Sequence, residues 1–143
     1  SCIFTTPTIN SYKRYKPELL APDRILCAKD NRGVMVKVLG SNEDQGSRIE
    51  KRVGGPGANP YFYLMSQILS GVDGIENKLI PPPITEIPYT TGADRLPHSL
   101  MEAAEAFDSS SFYGTRLGDE LVEYLLKIKR NEIKRFLSEV TDW

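Results

Sequence analysis

The sequence predicts an α+β fold in which a short antiparallel sheet of three strands is followed by three or four helices. Three short segments rich in β-branched and apolar residues lie within about residues 23–53. Capping residues and a helical apolar period then indicate helices at about residues 60–73, 99–108 and 118–141. Because the strands come first and the helices follow, the order favours an α+β domain over an alternating α/β one.

Residues 24–28 (RILCA) and 34–39 (VMVKVL) are predicted as the first two strands because both are short and apolar. Residues 30–33 (DNRG) between them are turn formers, so the two strands are expected to pair as an antiparallel hairpin. Residues 48–53 (RIEKRV) are predicted as the third strand. Residues 5–21, which precede the sheet, have little periodicity and are expected to form an ordered loop.

The helices carry local start signals. Asn59 is a good N-cap and Pro60 a good first residue for a helix over residues 61–72, which ends at Gly71 and Gly74. Apolar residues on more than one side of this helix predict that it is buried. The proline-rich residues 81–88 then predict an extended connector.

The remaining helices are predicted from capping and periodicity. Ser99 and Glu102 form the pattern of a capping box for a helix over residues 100–107. Residues 112–117 predict a further helical turn, and Asp119 is expected to cap a long last helix. One apolar stripe follows the last helix, opposite several basic residues. The stripe comprises Val122, Leu125, Leu126, Ile133, Phe136, Leu137 and Val140.

Length, charge and cysteine content exclude several classes of protein. The chain has 143 residues and a formal net charge of −1, so nucleic acid is not an expected partner. It has no apolar run of about 18 residues and no signal-peptide pattern, so no membrane association is expected. Cys2 and Cys27 form no CxxC pair, which predicts free thiols, no zinc site and a cytoplasmic location. The first residue, Ser1, is not Met, which fits a fragment of a longer protein, and removal of an initiator Met would give the same start.

Charged residues alternate along the third predicted strand. Arg48, Glu50 and Arg52 share one face, because side chains two apart in a strand point the same way. Such a group could bind a metal ion through the carboxylate and anions through the arginines. It could equally be a solvated face with ion pairs, and the spacing alone favours that second interpretation.

Six motifs change this balance. NSYKR (10–14), AP (21–22), NR (31–32), RIEKR (48–52), ANPY (58–61) and GxxGI (71–75) occur in one order. The chain resembles the C-terminal part of the glutamine synthetase catalytic domain. Within that family, its sequence is most similar to γ-glutamyl-amine and polyamine ligases. The resemblance implies an ATP-dependent ligase that joins the glutamate γ-carboxylate to ammonia or an amine through a γ-glutamyl phosphate. ATP, Mg²⁺ or Mn²⁺, and stacked homo-oligomeric rings are implied for the full-length protein.

The resemblance also implies a role for each matching residue. Arg32 is implied to be catalytic and to contact both the phosphate and the substrate. Arg14 and Arg52 are implied to bind glutamate, and Lys37 takes the place of an arginine that contacts ATP. Glu50 is implied to be a metal ligand. The family's other metal ligands lie outside these residues, so this chain alone is expected to be inactive.

The sequence departs from the family at two positions, Leu20 and Lys37. Leu20 stands where ammonia-using members carry a glutamate, which suits a primary amine with an apolar part. Lys37 keeps a positive charge but lacks the planar guanidinium with which arginine donates two parallel hydrogen bonds. Both departures also fit a non-catalytic scaffold or binding protein with the same fold. An independent anion-binding module is a further alternative. His98 lies in no metal-binding motif and is expected to be a helix-entry residue.

Overall fold

A mixed sheet of three short strands lies in the first half of the chain. The structure, a computed structural model, describes residues 2–16, 19–41, 43–89 and 92–141. Within them the sheet has the order β1 (Cys27–Lys29), β2 (Val36–Leu39), β3 (Arg48–Lys51). The α+β prediction with three strands is confirmed. However, β1 and β2 are parallel and only β2 and β3 are antiparallel, so the hairpin prediction is wrong.

The parallel pairing of β1 and β2 is possible because both strands are short. Three residues of strand span only about 10 Å, so residues 30–35 are long enough to return the chain to the start of β1. Asp30 begins this return with a φ of 44°, in the left-handed region. Hydrogen bonds of 3.0 Å from Val36 N to Leu26 O and from Asp30 N to Val38 O fix the register.

The segment before the sheet is partly helical, so the loop predicted over residues 5–21 is wrong at Thr5 and over residues 9–15. Helix α1 spans Cys2–Thr5, and a 3₁₀ helix spans Ile9–Tyr15. A 3₁₀ helix repeats every three residues, which places Tyr12 and Tyr15 on the same side, and both are buried. Burial raises the pKa of the Tyr15 hydroxyl to about 12.

Helix α2 spans Pro60–Glu76 and begins as predicted. Asn59 Oδ1 accepts hydrogen bonds from Tyr61 N at 2.9 Å and Phe62 N at 3.4 Å. The helix continues past both predicted stop residues to Glu76. The predicted burial is wrong in this chain, because one side of α2 is exposed. We call that side the α2 stripe; it comprises Tyr61, Leu64, Ile68, Val72 and Ile75.

Three helices complete the fold: α3 (Leu100–Asp108), α4 (Ser111–Leu117) and α5 (Asp119–Ser138). Ser99 Oγ accepts from Glu102 N at 3.1 Å, which confirms the predicted cap of α3, while the Glu102 carboxylate accepts from His98 N at 2.9 Å. Asp119 is not the cap of α5. It is the first helical residue, and Gly118 precedes it with a φ of 83°.

The main core lies where α1, α3, α4 and α5 meet. Phe4 is its centre, with ring centroids 5.3 Å from Phe107 and 5.5 Å from Tyr113. The first half of the predicted α5 stripe is buried here, whereas Phe136 and Leu137 are exposed. None of the helices in the described ranges is long and apolar enough to cross a membrane.

Candidate functional site

Charged side chains from β2 and β3 meet on one face of the sheet. Lys37 and Glu50 are directly opposite each other in the antiparallel pair. Glu50 Oε1 lies 3.3 Å from Arg52 Nε, and Glu50 Oε2 lies 3.9 Å from Lys37 Nζ. Arg48 is exposed and donates to the Gly46 carbonyl oxygen at 2.9 Å. A carboxylate between two cations is thus the centre of the site.

The other face of β3 points towards the interior at its end. Val53 is buried there, and burial lowers the pKa of the Lys51 ammonium. Ile49, nearer the start of the strand, remains exposed. The predicted alternation therefore separates the charged face from a face that becomes increasingly buried towards Val53.

Lys37 has a second acidic partner that the sequence analysis missed. Its Nζ lies 2.8 Å from Asp30 Oδ1, and the Lys37 side chain is largely buried. This hydrogen bond, together with the lysine's charge, lowers the pKa of the exposed Asp30 carboxyl. A lysine inside an apolar strand needs an anionic partner, so the acidic residue of the neighbouring turn was the available signal.

Arg14 holds the end of β3 through its guanidinium. Its Nη1 donates to Val53 O at 3.3 Å and to Gly54 O at 2.9 Å, and its Nη2 donates to Arg52 O at 3.2 Å. We call these contacts the Arg14 clamp. The guanidinium carbon also lies 6.0 Å from the centre of the Tyr15 ring. Because this clamp leaves two N–H groups free, Arg14 can still donate to a ligand.

Arg52 has a buried nitrogen without a partner. Its Nη1 is shielded from solvent and makes no hydrogen bond among the described residues, although the side chain as a whole is 20% exposed. A buried, unpaired charged donor is costly, and native structures usually provide an acceptor for it. The geometry of Arg52 therefore favours an anionic ligand.

Arg32 is not in direct contact with this cluster. It lies in the turn between β1 and β2, its side chain is exposed, and no hydrogen bond or ion pair joins it to another residue in the described ranges. Its positive charge does contribute to lowering the pKa of Asp30, after the larger effect of Lys37. The structure thus places Arg32 near the cluster through Asp30 rather than within it.

Leu20 and His98, both singled out in the sequence, lie outside the charged cluster of β2 and β3. Leu20 is 72% exposed, and it follows the turn in which Leu19 N donates to Lys16 O at 3.0 Å. His98 lies at the entry to α3, with Nε2 3.7 Å from Asp23 Oδ2 and its ring 5.5 Å from that of Tyr15. Glu18, the carboxylate nearest to Leu20 in sequence, lies outside the described residues.

The part of the chain that the structure describes contains no group of three or more histidine, cysteine, aspartate or glutamate side chains able to hold a metal ion. Glu50 is half-exposed and carries two carboxylate oxygens, so it fits as one ligand of a hard divalent cation. A complete coordination sphere requires ligands from elsewhere.

Comparison with known proteins gives a consistent result. The family model described as glutamine synthetase, catalytic domain, matches residues 1–143. γ-Glutamylanilide synthase of Acinetobacter sp is 46% identical over 94% of this chain and 27% of its own length. γ-Glutamylethanolamide synthetase of Streptomyces coelicolor is 36% identical over 96% of this chain and 29% of its own length. The chain therefore spans about a third or less of these relatives.

Solved structures agree with the sequence comparison. GmaS without ligand superimposes with a TM-score of 0.85 and 29% identity, covering 99% of this chain and 33% of that one. GmaS in complex with ADP gives a TM-score of 0.84 at the same identity, covering 34% of its chain.

Proposed function

The chain belongs to the glutamine synthetase catalytic-domain family, and we propose that it supplies the glutamate- and phosphate-binding cations of an ATP-dependent glutamate–amine ligase. The resemblance seen in the sequence is confirmed by the family match over residues 1–143. Since the chain spans only a third or less of its relatives, the activity belongs to the full-length protein. The chain alone, with one candidate metal ligand, is expected to be inactive.

The observation that carries the proposal is the unpaired Nη1 of Arg52 beside the Glu50 carboxylate. The guanidinium is already oriented by Glu50, and its backbone is held by the Arg14 clamp. An arginine fixed in this way can bind a carboxylate through two parallel hydrogen bonds. We therefore assign the glutamate substrate to Arg52 and Arg14.

The reaction would proceed in two steps. A γ-carboxylate oxygen attacks the terminal phosphorus of ATP, the bond to the bridging oxygen breaks, and ADP leaves. The amine nitrogen then attacks the carbonyl carbon of the acyl phosphate, inorganic phosphate leaves, and the nitrogen loses a proton. Both steps concentrate negative charge on phosphoryl oxygens, which fixed cations stabilise. Arg32 is the residue we assign to that role.

Glu50 and Lys37 would act at the nucleotide. When bound, Mg²⁺ or Mn²⁺ neutralises phosphate oxygens and polarises the phosphoryl group. Glu50 offers one of the oxygen ligands that such ions require. Lys37 Nζ lies 3.9 Å from Glu50 Oε2, so Lys37 would add a positive charge beside this carboxylate that would help to neutralise phosphate.

The acceptor we propose is a primary amine with a carbon substituent rather than ammonia. Leu20 presents an apolar, exposed side chain where ammonia-using members of the family carry a glutamate. Two of the relatives are named for γ-glutamylanilide and γ-glutamylethanolamide. An apolar side chain can pack against the carbon part of such an amine, whereas it cannot bind ammonium.

The setting of the full-length protein is part of the same proposal. Homo-oligomeric rings, as in the family, would complete each site with residues from a neighbour. Cys2 and Cys27 are free and buried, which fits a cytoplasmic location with reducing conditions.

Phosphate release by the full-length protein tests the proposal. It should require ATP, glutamate and an amine together. Arg52→Ala should lower the rate at least about a hundredfold, because it removes a charge-stabilising donor, while Arg135→Ala, an exposed arginine on α5, should not. A protein that binds ATP but releases no phosphate with any amine or ammonium would instead support the non-catalytic scaffold.

A further inference from the structure

Residues 84–89 form a strap that runs beside β1. Ile84 makes a parallel bridge with Cys27, and Thr85 N donates to Cys27 O at 3.0 Å. The strap comes after α2 and ends at Tyr89, whose side chain is 64% exposed. It is therefore anchored to the sheet at one end and reaches the turn before β2 at the other.

The strap holds the residues on both sides of Arg32. Asn31 Nδ2 donates to Glu86 O at 3.4 Å, and Asn31 Oδ1 accepts from Gly33 N at 2.9 Å. Pro88 and Tyr89 press against Gly33 itself. A Cβ atom at Gly33 would lie 2.6 Å from Pro88 Cγ and 2.7 Å from Tyr89 Cζ, closer than real Cβ contacts.

Arg32 depends on this backbone for its direction. Its side chain is exposed and makes no hydrogen bond or ion pair within the described ranges, so none of the described residues orients it through such a contact. Where the guanidinium can reach is then set by the main chain of residues 31–33. Those residues are fixed from one side by the strap, through the Asn31 and Gly33 contacts.

We propose that Tyr89 is a positioning residue that acts through Arg32. Its ring closes over Gly33 and keeps the turn in the one place from which Arg32 reaches the phosphoryl group. The inference rests on the proposed function, because it needs Arg32 to act in phosphoryl transfer. The effect should be large for a residue that touches no substrate, since a shift of about 1 Å in a reacting group can cost a hundredfold in rate.

The test compares Tyr89→Ala with Tyr124→Ala in the full-length protein. Tyr124 is an equally exposed tyrosine on α5, remote in sequence from the turn. Tyr89→Ala should lower kcat for phosphate release between about tenfold and a hundredfold and leave KM for the amine unchanged. Tyr89→Phe should keep most of the activity because the ring remains, and Tyr124→Ala should keep all of it.

A double-mutant cycle separates a positioning role from a general one. If Tyr89 acts through Arg32, then Tyr89→Ala should cause no further loss in an Arg32→Ala background. A further loss of the same size in that background would overturn the inference. If Arg32→Ala alone leaves the rate unchanged, the assigned role of Arg32, and with it the proposed function, is what fails.

Hydrogen exchange gives a readout that does not depend on activity. Amides of residues 31–34 should exchange faster in Tyr89→Ala than in the unchanged protein, because the strap no longer covers Gly33. Tyr124→Ala should not change them. Equal exchange at residues 31–34 in Tyr89→Ala and in the unchanged protein would overturn the inference even if the rate fell.

Discussion

Arg14 donates a hydrogen bond of 3.2 Å to the backbone carbonyl oxygen of Arg52, which connects the 3₁₀ helix directly to the end of β3. Beyond β3 the chain leaves the sheet, so the carbonyl groups of Val53 and Gly54 lose their ladder partners. Arg14 supplies these acceptors with donors. One cation thereby fixes the main chain that carries another.

Arg14→Lys should weaken the folded state. A lysine ammonium is compact and cannot reproduce the planar fork that reaches all three carbonyls. We expect the free energy of unfolding to fall by about 1–3 kcal/mol, measured by urea denaturation of the full-length protein. Arg135→Lys is the matched control and should leave the transition in place. An unchanged transition for Arg14→Lys would show that the clamp adds no stability.

Glu50→Gln should weaken metal dependence specifically. The amide has the shape of the carboxylate but no negative charge, and hard divalent cations favour carboxylate oxygens. We expect the Mg²⁺ concentration for half-maximal phosphate release to rise at least about tenfold. Glu123→Gln, at an exposed position on α5, should leave that concentration as it is. If Glu50→Gln and Glu123→Gln needed the same Mg²⁺ concentration for half-maximal phosphate release, Glu50 would not be a metal ligand.

Lys37→Met should raise the pKa of the Asp30 carboxyl towards its ordinary value of 3.8. The lowered pKa in the folded protein comes first from the hydrogen bond to Lys37 and then from the lysine's charge. Because a lowered carboxyl pKa favours the folded state, the ion pair contributes above pH 3.8 and is lost as the pH falls through the lowered value. The carboxyl carbon shift of Asp30 against pH reports this, and identical titrations in both proteins would contradict it.

Leu20→Glu should move acceptor preference towards ammonia. The new carboxylate can bind ammonium and accept its proton, and it removes apolar surface from the carbon part of an amine. We expect the ratio of kcat/KM for ammonium to that for a primary amine to rise at least about tenfold. Leu19→Glu, one residue earlier, serves as control. A ratio that responds equally to both variants would place the acceptor elsewhere.

Two capping signals in the sequence predicted helix starts correctly, whereas the cap predicted at Asp119 was wrong. The Asn59 cap and the Ser99 cap were correct because each depends on a side chain and backbone groups two or three residues away. The pairing of β1 and β2 was not predictable in the same way. A short connection usually means a hairpin, and here the left-handed Asp30 and the short strands allow a parallel return instead.

In the candidate site, too, local contacts were predictable from the sequence and contacts between distant residues were not. Strand alternation predicted that Glu50 and Arg52 lie together, since both belong to the predicted strand over residues 48–53, and their side chains are in contact although β3 itself ends at Lys51. The Arg14 clamp could not be derived, because its acceptors lie 38 to 40 residues later in the chain. The strap over Gly33 is equally non-local. Arg32 was assigned from motif resemblance alone, and the contacts that residues 86, 88 and 89 make with its turn could not be derived from the sequence.

The α2 stripe has a practical consequence for anyone who produces these 143 residues by themselves. The α2 stripe faces water along one side of a single helix. An exposed apolar surface of that kind promotes aggregation during expression and storage. Exchanging that side for glutamate and lysine, while keeping the inward-facing Phe62 and Met65, is the redesign we would try first.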